Sequence, residues 1–268
     1  MAYFQKTIRP DIIDGDVSKV VGSSVSALTN PANATPFSNG DIVFDWTPID
    51  IPLRADSIVD GLIHTYGENG GDQEPELALL IAKSNNGVAP TTLGEENSLI
   101  TGCYELPDIL IGTMRFLAGG NDVGVSLGGH PGTIMHYQGN ESFYSGSGAI
   151  VPIEPEHNSL GGKTTNRIWV ACIKTDGDLN FRTLVKATSQ VLVSSGTIPV
   201  DGIDPRKVFR VGDTVYTNTE DTACGTIASM TVNQIVLNGN TAVQIENNEE
   251  LVNAKPMTIT LSFNVGRS

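Results

Sequence analysis

The sequence has few cysteines: Cys103, Cys172 and Cys224 stand far apart in 268 residues. An odd number at wide spacing argues against a disulfide framework and against a closed zinc site. We therefore expect buried, reduced thiols, with Cys172 acting as a small core residue inside the apolar run 168–173. Reduced thiols are typical of a protein that is made and assembled in the cytoplasm.

Basic residues are also scarce: 16 Lys and Arg stand against 30 Asp and Glu, for a formal net charge of −14. No stretch is rich in Lys or Arg, and an acidic chain repels phosphate backbones, which excludes nucleic acid as a partner. An acidic surface instead favours solubility and complements a basic partner surface.

Long apolar runs are missing. No run approaches the roughly 20 residues that a membrane helix needs, and residues 1–6 lack the basic segment and apolar core of a signal peptide. We therefore expect no membrane partner, and a protein that stays where it is made until assembly or lysis carries it out.

Glycine, by contrast, is abundant, and Asn-Gly and Asp-Gly pairs punctuate the chain. These pairs lie at 39–40, 69–70, 86–87 and 238–239, and at 14–15, 60–61, 176–177 and 201–202. Such dipeptides favour the positive-φ positions of tight hairpin turns. Because the apolar runs between them are short and lack a 3.6-residue period, the sequence predicts an all-β fold.

The spacing of these runs predicts three parts: an extended arm at 1–40, a large β-sandwich at 41–195 and a small β-barrel or sandwich at 206–268. Residues 194–205 combine Ser, Gly and Pro and are interpreted as a linker. The strand candidates of the sandwich are 41–46, 57–66, 77–82, 109–116, 134–137, 149–153, 167–174 and 179–193. Those of the small domain are 208–216, 225–231, 234–237, 241–245 and 257–265.

Two local alternatives stay open in this assignment. The runs at 77–83 and 109–117 follow Pro75 and Pro107 closely and could be short helices, because proline is tolerated at a helix start. Within 41–46, strict alternation predicts Ile42, Phe44 and Trp46 on one face of a strand.

Residues 1–40 show no apolar core of their own, and residues 3–13 mix apolar side chains with Pro10. This segment is either an arm ordered by a neighbouring chain or a strand packed in its own domain. As an arm it would add a strand to a neighbour's sheet edge, where main-chain hydrogen bonds give affinity. The residues expected to bind the partner are Tyr3, Phe4, Ile8, Ile12 and Ile13.

Two glycine-rich segments imitate catalytic motifs. Gly161-Gly162-Lys163-Thr164 resembles the end of a phosphate-binding loop, but His157 stands where that motif needs glycine, and a strand follows instead of a helix. Gly124-Val125-Ser126-Leu127-Gly128 matches the nucleophile-elbow pattern, but Gly-Gly-His-Pro-Gly follows it and cannot open a helix. Both are interpreted as turns, so we predict no catalytic residues and no cofactor.

Metal-binding patterns are equally weak. His64, His130, His136 and His157 lack the close spacing of a ligand set, although His130 and His136 could face each other over a turn. Asp176-Gly177-Asp178 lacks the later glutamate of a calcium loop, which leaves open a weak calcium site on an acidic loop. We predict no metal site.

Two groups of segments resemble structural proteins of tailed bacteriophages. Phe44-Asp45-Trp46-Thr47-Pro48-Ile49-Asp50-Ile51-Pro52 and Arg167-Ile168-Trp169-Val170-Ala171-Cys172 resemble the jelly-roll β-sandwich of head-decoration and accessory virion proteins. Val211-Gly212-Asp213-Thr214-Val215-Tyr216, Gly225-Thr226-Ile227-Ala228-Ser229-Met230 and Ile235-Val236-Leu237 are similar to small β-barrel modules of phage head and tail proteins. Together the two regions cover most of residues 41–265.

The resemblance implies a jelly-roll-like capsid decoration or cement protein, a homotrimer that clamps adjacent major capsid protein subunits. It would be made in the host cytoplasm and located on the capsid exterior of the virion, and it would carry no catalytic residues. The alternatives are a head–tail connector, tail or baseplate component, or a carbohydrate- or receptor-binding module. The last would need an exposed aromatic platform built from Trp46, Trp169 or Tyr144. An enzyme would need a cleft that gathers His130 or His136 with acidic residues.

Overall fold

The computed structural model describes residues 2–12, 37–66, 75–83, 88–117, 133–136, 151–152, 165–177, 179, 181, 183–219 and 222–266. The prediction of an all-β fold is confirmed. The strands are β1 (Ala2–Ile8), β2 (Ile42–Pro52), β3 (Ala55–Thr65), β4 (Glu76–Lys83), β5 (Leu110–Phe116), β6 (Thr133–His136), β7 (Val151–Pro152), β8 (Thr165–Asp176), β9 (Val185–Ala187), β10 (Thr197–Gly202), β11 (Thr214–Thr217), β12 (Gly225–Thr231), β13 (Gln234–Leu237), β14 (Leu251–Asn253) and β15 (Met257–Val265). Helical structure is limited, among the described residues, to α1 (Leu106–Ile109) and a 3-10 turn (Pro205–Lys207).

Nine strands form two antiparallel sheets, and eight of them, all except β7, have the strand order of a jelly roll. The first sheet has the order β1-β15-β3-β6, with β7 also pairing with β3, and the second has the order β2-β8-β4-β5. The chain passes from one sheet to the other at six of the eight connections between these strands, which is the alternation of a jelly roll. We refer to these two sheets together as the sandwich.

The sandwich core lies between the two sheets. Alternate residues of each strand point inward, so that Leu77, Leu79 and Leu261 are fully buried there together with Phe116 and Phe263. The other face of β4 is buried as well, because residues 88–109 cover the second sheet from outside and pack Leu93, Cys103 and Ile109 against it. Burial on both faces explains why β4 reads as a continuous apolar run.

Strand β2 departs from the alternation that its sequence predicts. Its pairing with β8 shifts between Ile42 and Phe44 and again between Phe44 and Thr47. Each β-bulge turns the following side chain to the other face of the sheet. Phe44 therefore lies in the sandwich core, whereas Ile42 and Trp46 pack under residues 88–109, and the prediction of one shared face is wrong.

The remaining six strands form a small β-barrel, residues 183–254. Their order is β14-β11-β12-β13-β10-β9, and a bridge between Lys186 and Glu250 joins the two end strands. The barrel has a separate apolar core that includes Val200, Phe209 and Ile235. A small C-terminal barrel was predicted, but with different boundaries.

Two boundary predictions are corrected by the strand pairing. Residues 194–205 are not a linker, since β10 lies inside the barrel between β13 and β9. Residues 257–265 do form a strand, β15, but it pairs with β1 and β3 of the sandwich and not with the barrel. The barrel is therefore an insertion between β8 and β15, and the ranges 41–195 and 206–268 each divide a folded unit.

Residues 2–12 belong to the sandwich. β1 pairs with β15 from Ala2↔Val265 to Ile8↔Ile259, and Ile12 is buried in the sandwich core. Of the two interpretations of this segment, the structure has the locally packed strand for residues 2–8, and the arm prediction is corrected there. Residues 13–36, which include Ile13, lie outside the described residues.

The two ambiguous runs are both strands, with α1 forming one turn before β5. Of the predicted Gly turns, Gly40, Gly177, Gly202 and Gly239 have positive φ. Gly61 instead lies within β3, where a Cβ would come within 2.7 Å of the Met114 Cε atom from the opposite sheet. Glycine at this position therefore allows close packing between the sheets and does not form a turn.

Candidate assembly surfaces

The five residues predicted to bind a partner lie in different surroundings. Along β1 the side chains alternate: Tyr3 is 66% exposed on the outer face, whereas Phe4 and Ile8 are half-buried against the sandwich core. The Phe4 ring lies 6.1 Å from that of Phe263. Ile12 is fully buried, and its N–H donates to the carbonyl of Ala254. Of the described members, Tyr3 is therefore the one whose side chain is mainly available to a partner.

β1 is an edge strand with a feature that limits open-ended pairing. Among the described residues it pairs with β15 alone, so its second edge carries main-chain groups that another strand could use. Lys6, opposite the fully buried Leu261, is half-buried on the inner side of this edge. Inward-pointing charges on edge strands discourage pairing with further chains. The edge of β1 is thus a poorer docking site than its sequence suggested.

A buried ionic network joins the sandwich to the barrel directly after β1. Both terminal nitrogens of Arg9 bond the Asp213 carboxylate, and Arg9 Nη2 also donates to the Lys255 carbonyl at 2.8 Å. Asp213 Oδ2 accepts further from the Arg210 N–H at 2.7 Å and from Asn253 Nδ2 at 3.0 Å. The Asp213 side chain is 4% exposed, so these donors replace its water almost completely.

An aromatic contact strengthens the same junction. Tyr66, directly after β3, is buried in the barrel core, and its N–H donates to the Pro256 carbonyl. Arg210 Nη2 donates to the Tyr66 hydroxyl at 2.9 Å, with the guanidinium carbon 5.4 Å from the ring centroid. His64 lies 4.2 Å from the same ring, measured between centroids. These contacts fix the position of the barrel on the sandwich.

The segment over the second sheet presents the most exposed aromatic side chain among the described residues. Tyr104 is 91% exposed and follows Cys103, whose φ of 53° is a left-handed conformation that a non-glycine residue rarely adopts. Cys103 is itself buried against the second sheet. Because Cys103 is held inward, the next side chain is directed to solvent. Tyrosines displayed in this way are common anchors of protein interfaces.

Electrostatics of this segment depend on Glu105. The Thr91 hydroxyl and N–H donate to the Glu105 carboxylate and lower its pKa. The Thr91 carbonyl accepts from Trp46 Nε1 at 3.0 Å, which ties the segment to β2. Burial, and next the charge of Glu105, raise the pKa of the Cys103 thiol, which disfavours its reactive thiolate form.

The other thiols are buried as predicted. All three cysteines are buried thiols that form no disulfide, and burial raises the pKa of Cys172 far above its ordinary value. The described residues contain no group of three or more His, Cys, Asp or Glu side chains that could hold a metal ion. Within the described ranges, no helix is long and apolar enough to cross a bilayer.

Several residues singled out for possible chemistry lie outside the described residues. These are both glycine-rich motifs, His130, His157, Tyr144 and Asp178. Trp46 and Trp169 are half-buried and pack against the cluster under residues 88–109. Their rings therefore do not form the open platform that a carbohydrate-binding module would need.

The junction was not predicted from the sequence. Arg9, Tyr66, Arg210 and Asn253 are isolated polar or aromatic residues far apart along the chain, and no local pattern marks them. Asp213 is the exception, because it lies in a recognisable sequence pattern, Val211-Gly212-Asp213, in the turn before β11. No protein-family model and no curated protein matches this sequence.

Proposed function

We propose that this protein is a non-catalytic structural component of a virion, a decoration or cement protein that binds and stabilises adjacent major capsid protein subunits. In this proposal it acts as a homotrimer on the capsid exterior, after synthesis in the host cytoplasm. In this proposal the protein acts only through the surfaces that contact its partners.

The observation that carries the proposal is the strand order of the sandwich. The orders β1-β15-β3-β6 and β2-β8-β4-β5 are those of a jelly roll, an architecture of viral capsid domains that also occurs in lectins and cupins. A cupin-like enzyme keeps polar ligands between its sheets. Here the described side chains in that space form an apolar core that includes Phe44, Phe116 and Phe263. An interior filled with apolar side chains favours a structural role for this jelly roll over a ligand-binding one.

Charge supports an exterior position. A formal charge of −14 keeps a protein soluble when it is displayed at high local density, and it complements a basic surface on the partner. The ion pair between Arg9 of the sandwich and Asp213 of the barrel makes the junction between these two parts rigid. A rigid two-part body can contact two capsid subunits with little loss of conformational entropy.

A binding experiment with capsid shells tests the proposal. Shells assembled from the major capsid protein of the phage that encodes this chain are mixed with the purified protein and sedimented. We expect saturable co-sedimentation at a fixed ratio, a trimeric mass in solution by light scattering, and shells that resist heat better when decorated.

The control is an unrelated β-sandwich protein of similar net charge, which separates specific binding from electrostatic attraction. Co-sedimentation no greater than with the control would overturn the proposal. Binding to purified tails but not to shells would replace it with a tail or baseplate role.

A further inference from the structure

We infer that the outer face of the first sheet is the surface through which this protein binds a second copy of itself. The residues that define this face, termed the hydroxyl face, follow from the pairing of β1, β15, β3 and β6, since paired residues point to the same side. They are Tyr3, Gln5, Thr7, Asp60, Leu62, His64, Ile134, Thr258, Thr260, Ser262 and Asn264.

The hydroxyl face is ordered by bonds among its own side chains. Gln5 Nε2 donates to Ser262 Oγ at 3.2 Å, and the hydroxyls of Thr7 and Thr260 share a hydrogen bond of 3.0 Å. Side chains held in this way lose little freedom when a partner binds, which lowers the entropic cost of association. Tyr3, Leu62 and Ile134 supply apolar area on the same face.

The face differs from the rest of the chain in charge. The sequence carries 30 acidic residues, yet among the residues that the structure describes the carboxylates on or beside this face are Asp60 and Asp56, both on β3. Asp56 is already bonded to Asn264 and Ser57. Lys6, the cation of β1, is paired with Leu261 on the inner side and contributes nothing here. Depletion of charge is a compositional mark of interface cores.

The net charge of the chain also indicates which partner binds the hydroxyl face. Two copies of a chain with a formal charge of −14 repel each other across most orientations. They can approach where carboxylates are few and where hydroxyl and amide groups both donate and accept hydrogen bonds. A basic partner such as a capsid subunit would instead favour a face rich in carboxylates. The hydroxyl face therefore suits a second copy.

This inference rests on the proposed function and deepens it, because it places the hydroxyl faces of the proposed homotrimer against one another around the three-fold axis. The two can fail separately. Self-association is measured on the purified protein alone, whereas the proposed function depends on binding to capsid shells.

The test places negative charge on the hydroxyl face. The wild-type protein, the single variant Thr7→Glu and the double variant Thr7→Glu/Thr260→Glu are compared by sedimentation equilibrium. Thr226→Glu is the matched control, because Thr226 is also an exposed strand threonine but lies on β12 of the barrel. We expect the double variant to raise the dissociation constant of the oligomer roughly a hundredfold or more, since like charges facing each other cost several kcal/mol. The control should associate as the wild type does.

A monomeric wild-type protein, or a double variant that associates as tightly as the wild type, would overturn the inference. Thermal melts of every variant establish that each is folded. If Thr260→Glu prevents folding, Thr7→Glu alone decides, because Thr7 is exposed on the edge strand and its substitution leaves the core intact.

Discussion

Two arginine–aspartate pairs in this protein share a bidentate geometry but differ in their surroundings. Arg9 bonds Asp213 at the junction, where the aspartate side chain is 4% exposed. Arg167 bonds Asp50 across the β2–β8 pair, where the aspartate side chain is 45% exposed. Water competes for the second pair and hardly for the first, so equal geometry does not mean equal contribution to stability.

Asp213→Ala is expected to lower the free energy of unfolding by about 3 kcal/mol, because Arg9 and Asn253 lose their shared acceptor in a buried site. Asp50→Ala is the control and should cost less than about 1 kcal/mol, as exposed pairs do. Urea denaturation of both variants measures the difference. Equal losses would show that the junction does not depend on the buried pair.

Glu105 gives a prediction for pH dependence. Hydrogen bonds from Thr91 lower its pKa in the folded protein, so the unfolded chain takes up the proton first as pH falls. The stabilising contribution is therefore present above the unfolded pKa and is lost as pH falls through the folded pKa. We expect Glu105→Gln to melt below the wild type at neutral pH, and at the same temperature once the pH has fallen below the folded pKa of Glu105. A melting difference that stays constant across this range would contradict the assignment.

At the scale of single elements, local pattern predicted most strands but not their partners. The bounds of β12, β13 and β15 match the predicted runs, yet β15 was assigned to the wrong domain. Its partners are β1 and β3, which lie about two hundred or more positions earlier, and a local pattern contains no record of such pairing.

Residues 194–205 were mistaken for a linker for a different reason. Pro199 lies where β10 changes partners, from β13 on one side to β9 on the other, so its missing N–H is tolerated inside a sheet. The arm was misassigned because apolar residues such as Phe4 and Ile12 indicate burial but not the chain that buries them. The hydroxyl face needs the register of β1, β15 and β3 and could not be predicted from sequence alone.

The barrel boundaries predict how fragments behave. Residues 183–254 contain all six strands and the closing bridge between Lys186 and Glu250, and should fold alone with a stability of about 3 kcal/mol, as small single cores do. Residues 206–268 lack β9 and β10 and carry the unpaired β15, and should remain unfolded. Circular dichroism melts of both fragments test this. Cooperative unfolding of 206–268 but not of 183–254 would show that the boundary is wrong.

At the scale of the whole molecule, the sandwich is complete only when β1 and β15 pair. β15 lies between β1 and β3, so the first sheet cannot form completely until the barrel insertion and β15 have been made. The barrel ends are close together, since Thr183 Oγ1 donates to the Leu251 carbonyl, and such an insertion disturbs its host little. The result is a sandwich and a barrel, each with its own core, tied by the Arg9–Asp213 and Arg210–Tyr66 contacts.

The proposed role in a virion is tested most directly by a cryo-EM reconstruction of the phage particle to which the proposal assigns this protein. We predict that the sandwich and barrel will be visible as one rigid unit on the capsid exterior, repeated around three-fold positions, with the hydroxyl faces of neighbouring copies in contact. A virion that lacks the protein altogether, although the protein is made during infection, would contradict the account.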